Sequence, residues 1–207
     1  MNYAGQTNIS LIGRFDGTNW SALGGGISGS GVISGPIGTG VRTLALAGTN
    51  LYAGGLFTNA GGALVSNIAV WNGSNWSAMG GGPGGAVYSI LVRTDGVYAV
   101  GAPFYNSSYF NSPFFSRWDG SSWQGVAVNL PPFTDWQTYI SVTAGMSSLA
   151  SIGTNIYIGG YFYVGEYTNF PSGYVGCNNI MRFDGTSGWV MGTGLNSNVT
   201  CMAVLGT

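Results

Sequence analysis

The chain has 207 residues, of which only 5% are charged, a formal net charge of -1, and 38 Gly, 7 Trp, 12 Tyr and 10 Phe. So many aromatics with so few charges exclude a disordered segment, and a balance this near neutral leaves no electrostatic footprint for nucleic acid or an anionic membrane surface. The five cations are all Arg, Glu166 is the only Glu, and the chain holds neither Lys nor His, which removes the commonest metal ligand and the usual bases for nucleophilic catalysis together.

Taken in order, Asn2-Tyr3-Ala4-Gly5 reads as a strand and Phe15-Asp16-Gly17 as the start of a turn leading to Trp20. From Thr43 the pattern is complete. Gly48-Thr49-Asn50 turns the chain between two apolar runs, and Asn72-Gly73-Ser74 turns it between Ile68 to Trp71 and Trp76 to Met79, since Asn and Gly accept the positive φ of tight turns. Four strands in series form one unit. VYSILVRTDGVYAVG with SRWDGSSWQGVAV repeats that unit, and SLASIGTNIYIGG with NIMRFDGTSGWVMG repeats it again. Tyr3, Tyr52, Tyr98 and Tyr157 each mark a second strand. They stand roughly 50 residues apart, as does Tyr157 from Tyr3 when the chain is wrapped onto its own start.

This rhythm predicts an all-β fold: a single β-propeller domain over residues 1–207, built of four-stranded antiparallel blades. The blades are expected at 42–80, 87–128, 146–193, and 199–207 joined to 1–24. NIAVW, TLALA, YSILV and SLASI are apolar throughout, the pattern of strands packed on both faces. Thr200 to Leu205 is expected to pair with the strand around Tyr3, so that the last blade is closed by N- and C-terminal strands and no edge is left open. One chain closing as a four-bladed ring is the expectation, and two chains pairing around eight blades the alternative.

The diglycines Gly54-Gly55 and Gly159-Gly160 end Tyr strands and are followed by aromatic-Asp/Asn-Gly-x-x-Trp, at Trp71 to Trp76 and Trp118 to Trp123. In these features the chain resembles the kelch repeat family. It departs from the pattern at Val100-Gly101, which replaces a diglycine, at Gly5-Gln6, and at Gly188, which lengthens the last turn before Trp189. The resemblance implies a propeller fold. Kelch-like propellers include protein-binding modules, glycan-binding modules and a copper oxidase, and the oxidase chemistry requires His ligands that this chain lacks.

The carboxylates point to turns. Asp16, Asp119 and Asp184 share one turn position with Asn72, and Asp95 sits in a Thr-Asp-Gly turn. Only Asp135 and Glu166 remain as a pair that a glycosidase would use. Arg14, Arg117 and Arg182 each precede a turn Asp by two residues and read as local ion-pair or hydrogen-bond partners. Gly24-Gly25-Gly26 and Gly80-Gly81-Gly82 are followed by no Lys and read as close backbone crossings between blades. No catalytic, cofactor or metal site is expected. Cys177 and Cys201 permit one disulfide or two thiols, and their positions leave both open.

The insertions all fall in the connections of one face: Gly24 to Gly40, Phe57 to Ser66, Pro103 to Ser116, Val128 to Gly145 and Tyr161 to Asn179. Three of them are crowded with aromatics, and loop insertions on a rigid scaffold are where binding concentrates. The candidate binding residues are Tyr105, Tyr109, Phe110, Phe133, Trp136, Tyr139, Tyr163, Tyr167, Phe170 and Tyr174. The function expected is that of a non-catalytic interaction or assembly module, secreted or surface-exposed, engaging a protein partner or copies of itself. A lectin-like propeller stacking Trp136 and loop Tyr rings on sugars is the alternative, and a glycan-active enzyme using Asp135 and Glu166 a third. Nucleic acid is not expected at a net charge of -1, nor is membrane insertion, because no apolar run approaches the roughly 18 residues of a membrane span. Met1-Asn2-Tyr3 carries no signal-like leader, so the signal of a secreted form would be absent from this chain.

Overall fold

A computed structural model of the protein describes residues 10–29, 38–103, 114–128, 138–167 and 174–205. Among them the fold is all-β, with no helix. The hairpin β1 (Gly13–Phe15) and β2 (Trp20–Ala22) is followed by the short β3 (Ile27–Ser28). Next come β4 (Gly40–Ala47) and β5 (Asn50–Leu56), then β6 (Asn59–Ala60) and β7 (Ala63–Leu64), then β8 (Ile68–Trp71) and β9 (Trp76–Ala78). A further set is β10 (Gly85–Arg93), β11 (Gly96–Pro103), β12 (Phe114–Trp118) and β13 (Trp123–Gly125). The last is β14 (Thr138–Ile152), β15 (Asn155–Tyr167), β16 (Tyr174–Phe183) and β17 (Gly188–Val190).

Each full set forms an antiparallel four-stranded sheet in chain order: β4-β5-β8-β9, β10-β11-β12-β13 and β14-β15-β16-β17. The β1-β2 hairpin is a two-stranded first sheet ahead of these second, third and fourth sheets, and β3-β6-β7 form a small accessory sheet. The three apolar clusters lie between consecutive sheets. Ile12 and Leu23 pack with Ala53, Ala69 and Trp76; Ile68 and Met79 with Val87, Ile90 and Val97; Val100 and Phe115 with Met146, Ile158 and Phe183. Burial therefore depends on stacking, because no single sheet covers its own faces.

Local chemistry repeats with the sheets. At the β1-β2, β8-β9, β12-β13 and β16-β17 hairpins the Oδ1 of Asp16, Asn72, Asp119 or Asp184 accepts the backbone N–H groups two and three residues on, at 2.8–3.0 Å. These side chains substitute for a backbone turn, as the sequence predicts. In the diglycine the second Gly is the constrained one. Each first strand bulges opposite it, and a methyl at Gly55, Gly101 or Gly160 would collide with a carbonyl of that strand: Gly40, Ala86 or Gly145. The first position meets side chains rather than backbone, those of the next sheet and, at Gly54, of Thr43 as well, and in the third sheet Val100 stands there, fully buried.

The aromatic pairs join one sheet to the sheet before it. Trp71–Trp76 and Trp118–Trp123 are cross-strand pairs with ring centroids 5.5 and 5.7 Å apart. Trp76 Nε1 donates to Leu23 O and Trp123 Nε1 to Met79 O, both at 2.8 Å. Beside those carbonyls Trp71 lies on Gly24 and Trp118 on Gly80, where a methyl would clash. The fourth sheet breaks the rule. Gly188 takes the place opposite Phe183, so Trp189 slips one position and faces Arg182. A one-residue slip changes the face on which a side chain stands. Trp189 then stacks with Arg182 at 5.5 Å and donates Nε1 to Asp184 Oδ2 at 2.7 Å.

Three expectations need correction. TLALA buries only one side: Ala45 packs toward the third sheet, while Leu44 and Leu46 are 53% and 74% exposed. Stretches read as loops, in Val128 to Gly145 and Tyr161 to Asn179, are in part strand, because β14, β15 and β16 run on past the length of their counterparts. Thr200 to Leu205 forms no strand, and the partner expected around Tyr3 lies outside the described residues. That segment nevertheless docks as a first strand would. Val199 and Met202 approach Gly159 as Val87 and Ile90 approach Gly54, and Val199 N donates to Gly160 O at 3.1 Å.

Candidate functional site

Of the ten aromatic residues singled out from the sequence, Tyr105, Tyr109, Phe110, Phe133, Trp136 and Phe170 lie outside the described residues. The other four are on strands. Tyr139 is in β14, Tyr163 and Tyr167 in β15, and Tyr174 in β16. The register brings them together. Tyr139 pairs with Gly165, Ser141 with Tyr163, and Tyr167 with Tyr174. Paired residues share a face and alternate residues of a strand share a face, so all four positions fall on one side of the three-stranded extension. Tyr161, two residues before Tyr163, is 46% exposed.

The extension owes its existence to composition. Thr138-Tyr139-Ile140-Ser141-Val142-Thr143 and Tyr161-Phe162-Tyr163-Val164 are rich in β-branched and aromatic residues, which suit a pleated surface. Two-residue bulges mark where it departs from the underlying sheet, between Ser141 and Gly145 on β14 and between Gly159 and Tyr163 on β15. Next to the second of these, Asn179 clamps the backbone. With φ +65° it places Oδ1 to accept Phe162 N at 3.2 Å and Nδ2 to donate to Leu195 O at 2.9 Å. Asn67 repeats the device, with φ +65° and Oδ1 accepting Phe57 N at 3.1 Å. Both Asn side chains are buried, and the sequence reading passed over them although each stands four residues before a turn aromatic.

On the face of the short turns the charged groups are occupied with each other. Arg93 Nε meets Asp95 Oδ1 at 3.2 Å, and the Tyr98 hydroxyl donates to Asp95 Oδ2 at 2.8 Å. Burial pushes Asp95 up, but the Tyr98 hydroxyl and the Arg93 guanidinium outweigh it and hold the carboxyl below its ordinary range. Burial and the bond to Asp95 together raise Tyr98. Arg117 donates through Nε to Asp95 O at 2.9 Å, with Nη2 on the same oxygen, and Arg93 Nη1 reaches Thr154 O at 3.1 Å in the fourth sheet. Arg14 stands near Asp16.

The turn carboxylates are held ionised. The N–H groups of Ser122 and Ser121 and the Ser121 hydroxyl lower Asp119 to about 2. Asp184 is lowered by the Ser187 N–H and the Trp189 indole, and Asp16 by the N–H groups of Asn19 and Thr18. Carboxylates committed in this way to turns are poor proton donors near neutral pH. Asp135 lies outside the described residues, and Glu166 is placed between Thr138 and Val175 in the extension. Among the described residues no group of three or more His, Cys, Asp or Glu is arranged to hold a metal ion. Cys201 carries an exposed free thiol, and Cys177 pairs by backbone with Val164.

No protein-family model matches the chain, and no curated protein matches it.

Proposed function

We propose that the chain is a non-catalytic interaction module of the kelch-like β-propeller type, acting outside the cell and engaging a protein partner through the aromatic side of its fourth sheet. In this reading the sheets are blades, and the fourth blade of the set is divided between the β1-β2 hairpin and the segment from Val199 to Leu205. The observation that carries the function is the register of the extension, which gathers Tyr139, Tyr163, Tyr167 and Tyr174 on one side, with Tyr161 exposed beside them. Tyr offers broad contact area and a polar tip at low entropic cost, and such residues are enriched where proteins meet. The commitment of Asp16, Asp119 and Asp184 to turns favours binding over hydrolysis.

The test compares two surfaces in affinity capture followed by binding measurement with the captured protein. A variant with Tyr161, Tyr163 and Tyr167 changed to Ser should lose at least tenfold in affinity while keeping its melting temperature. Asn155→Ala, in the opposite turn, should bind as the parent does. Loss of binding in Asn155→Ala alone, selective retention of glycans on an array, or hydrolysis of a glycan substrate would each overturn the proposal.

A further inference from the structure

We infer that this chain associates with a second copy of itself, the Phe15–Trp20 ring pair of one copy seating on the turn from Gly192 to Gly194 of the other. The argument is independent of the tyrosine side and rests on a contact that the chain makes twice internally. A seat consists of a Gly with left-handed φ just after the last strand of a sheet, followed two residues later by a second such Gly. Gly24 and Gly26 have φ of +52° and +77°, Gly80 and Gly82 of +58° and +78°, and Gly192 and Gly194 of +58° and +79°. The second Gly of each pair caps the same turn, its N–H donating to Leu23 O, Met79 O or Met191 O at 2.9, 3.3 and 3.0 Å. Three seats are thus built alike.

The ring pairs with this cross-strand register are also three. Trp71–Trp76 occupies the Gly24 seat and Trp118–Trp123 the Gly80 seat, each with its indole N–H on the carbonyl before the Gly. Phe15–Trp20 has the same cross-strand register, with centroids 5.2 Å apart, but Phe15 and Trp20 are 51% and 54% exposed. At the other flank no described atom lies within 4 Å of the place where a methyl on Gly192 would stand. One ring pair and one seat are therefore left over, on opposite flanks of the stack, and each has the chemistry of the other's partner. The remaining junction supports the rule by its exception. Ala127 has the sequence position of Gly24 and Gly80 but no left-handed φ, so that seat is not built, and there the ring pair is also lost, because Gly188 moves Trp189 to the other face.

Among the described residues the ring pair and the Gly192 turn do not meet within one chain, and a second copy is the occupant that supplies each half to the other. Leu44 and Leu46, exposed on the side of β4 turned away from the third sheet, add apolar surface to the flank that carries the rings. The contact joins unlike surfaces, so it propagates head to tail until a ring closes.

Sedimentation of the 207-residue chain over a range of concentrations tests this, with three variants checked for folding by circular dichroism. Trp20→Ala removes the knob. Gly192→Asn blocks the seat while keeping a residue that tolerates positive φ. Gly153→Asn is the control, since Gly153 has the same φ of +58° and open space around it. The parent and the control should sediment at a mass at least twice that of one chain, and Trp20→Ala and Gly192→Asn should each associate at least tenfold more weakly. Mixed in equal amounts, those two variants should form a one-to-one complex, since each retains the half that the other has lost. A monomeric parent, which would mean that one chain closes on itself, unchanged association in either variant, or a mixture that forms no complex would overturn the inference.

Discussion

Replacing Trp76 by Phe isolates the contact by which one sheet holds the next. The indole is 7% exposed, and its Nε1 donates to Leu23 O at 2.8 Å. Gly26 N donates to the same oxygen at 2.9 Å, so the substitution leaves that acceptor satisfied. What is lost is the net contribution of one hydrogen bond, about 1 kcal/mol, without the further cost of an orphaned buried group. The smaller ring also vacates part of the layer between Leu23 and Ala69, and a core truncation of that modest size costs about 1 kcal/mol more. The sum, about 2 kcal/mol, corresponds to a fall of roughly 4–8 °C in melting temperature for a chain of this size. Trp20 occupies the equivalent place in the first hairpin but is 54% exposed, so Trp20→Phe should cost under about 0.5 kcal/mol. Thermal and urea unfolding of the two variants under conditions that keep the protein monomeric makes the comparison. Equal losses would refute the assignment of Trp76 as the link between sheets.

The turn carboxylates predict a response to acid. Asp119 is lowered to about 2 from an ordinary 3.8, so its contribution to stability is complete above the ordinary value and is lost as pH falls toward the lower one. Asp119→Asn keeps the acceptor, as Asn72 does, and does not titrate; the stability difference between parent and variant should shrink on acidification, and parallel melting curves against pH would contradict this. Deleting Gly188 should return Trp189 to the place opposite Phe183, ending its stack on Arg182 and its bond to Asp184 Oδ2. The melting temperature should fall, and an unchanged one would show that the Arg182 stack and the Asp184 bond contribute nothing to stability.

How much of this was legible in the sequence follows from the range of the interactions. The hairpins were legible because an Asp or Asn accepting the N–H groups two and three residues on is a local event, written in adjacent residues. The close approach at Gly24 and Gly80 was legible as a need for bare backbone, but the ring that requires it was not, because Trp76 and Leu23 are separated by 53 residues. TLALA misled for a related reason: an apolar run states that a strand can be covered on both sides, and only the arrangement of neighbours decides whether it is. The tyrosine extension was taken for loop because Gly165 and Gly176 interrupt it, although Thr, Ile, Val and Tyr around them favour a strand. Of the candidate site, the residues chosen included the four that the register brings to one side, while the Asn179 clamp beside them was missed, since a single Asn announces a turn as readily as a buried clamp.

The junction between the third and fourth sheets shows how a repeat array accommodates the loss of its usual link. At the position of Gly24 and Gly80 it has Ala127, without a left-handed φ, and its indole is turned away by Gly188, two changes far apart in sequence at one junction. Together they remove the contact cleanly, and adhesion passes to the interior. Phe115 meets Phe183 edge to face at 5.5 Å and stacks on Tyr98 at 5.8 Å, in a cluster that also buries Met146, Ile156 and Met181. The second and third sheets, which keep the indole link at Trp123, place no Phe in the buried cluster between them. The first and second sheets hold both, with Phe57 buried in the cluster that contains Trp76, so ring packing inside the stack can accompany the indole link or replace it. The retention of both halves of the rim link at Phe15–Trp20 and Gly192, at flanks that share none of the three described apolar clusters, argues that their contact is made through the rim.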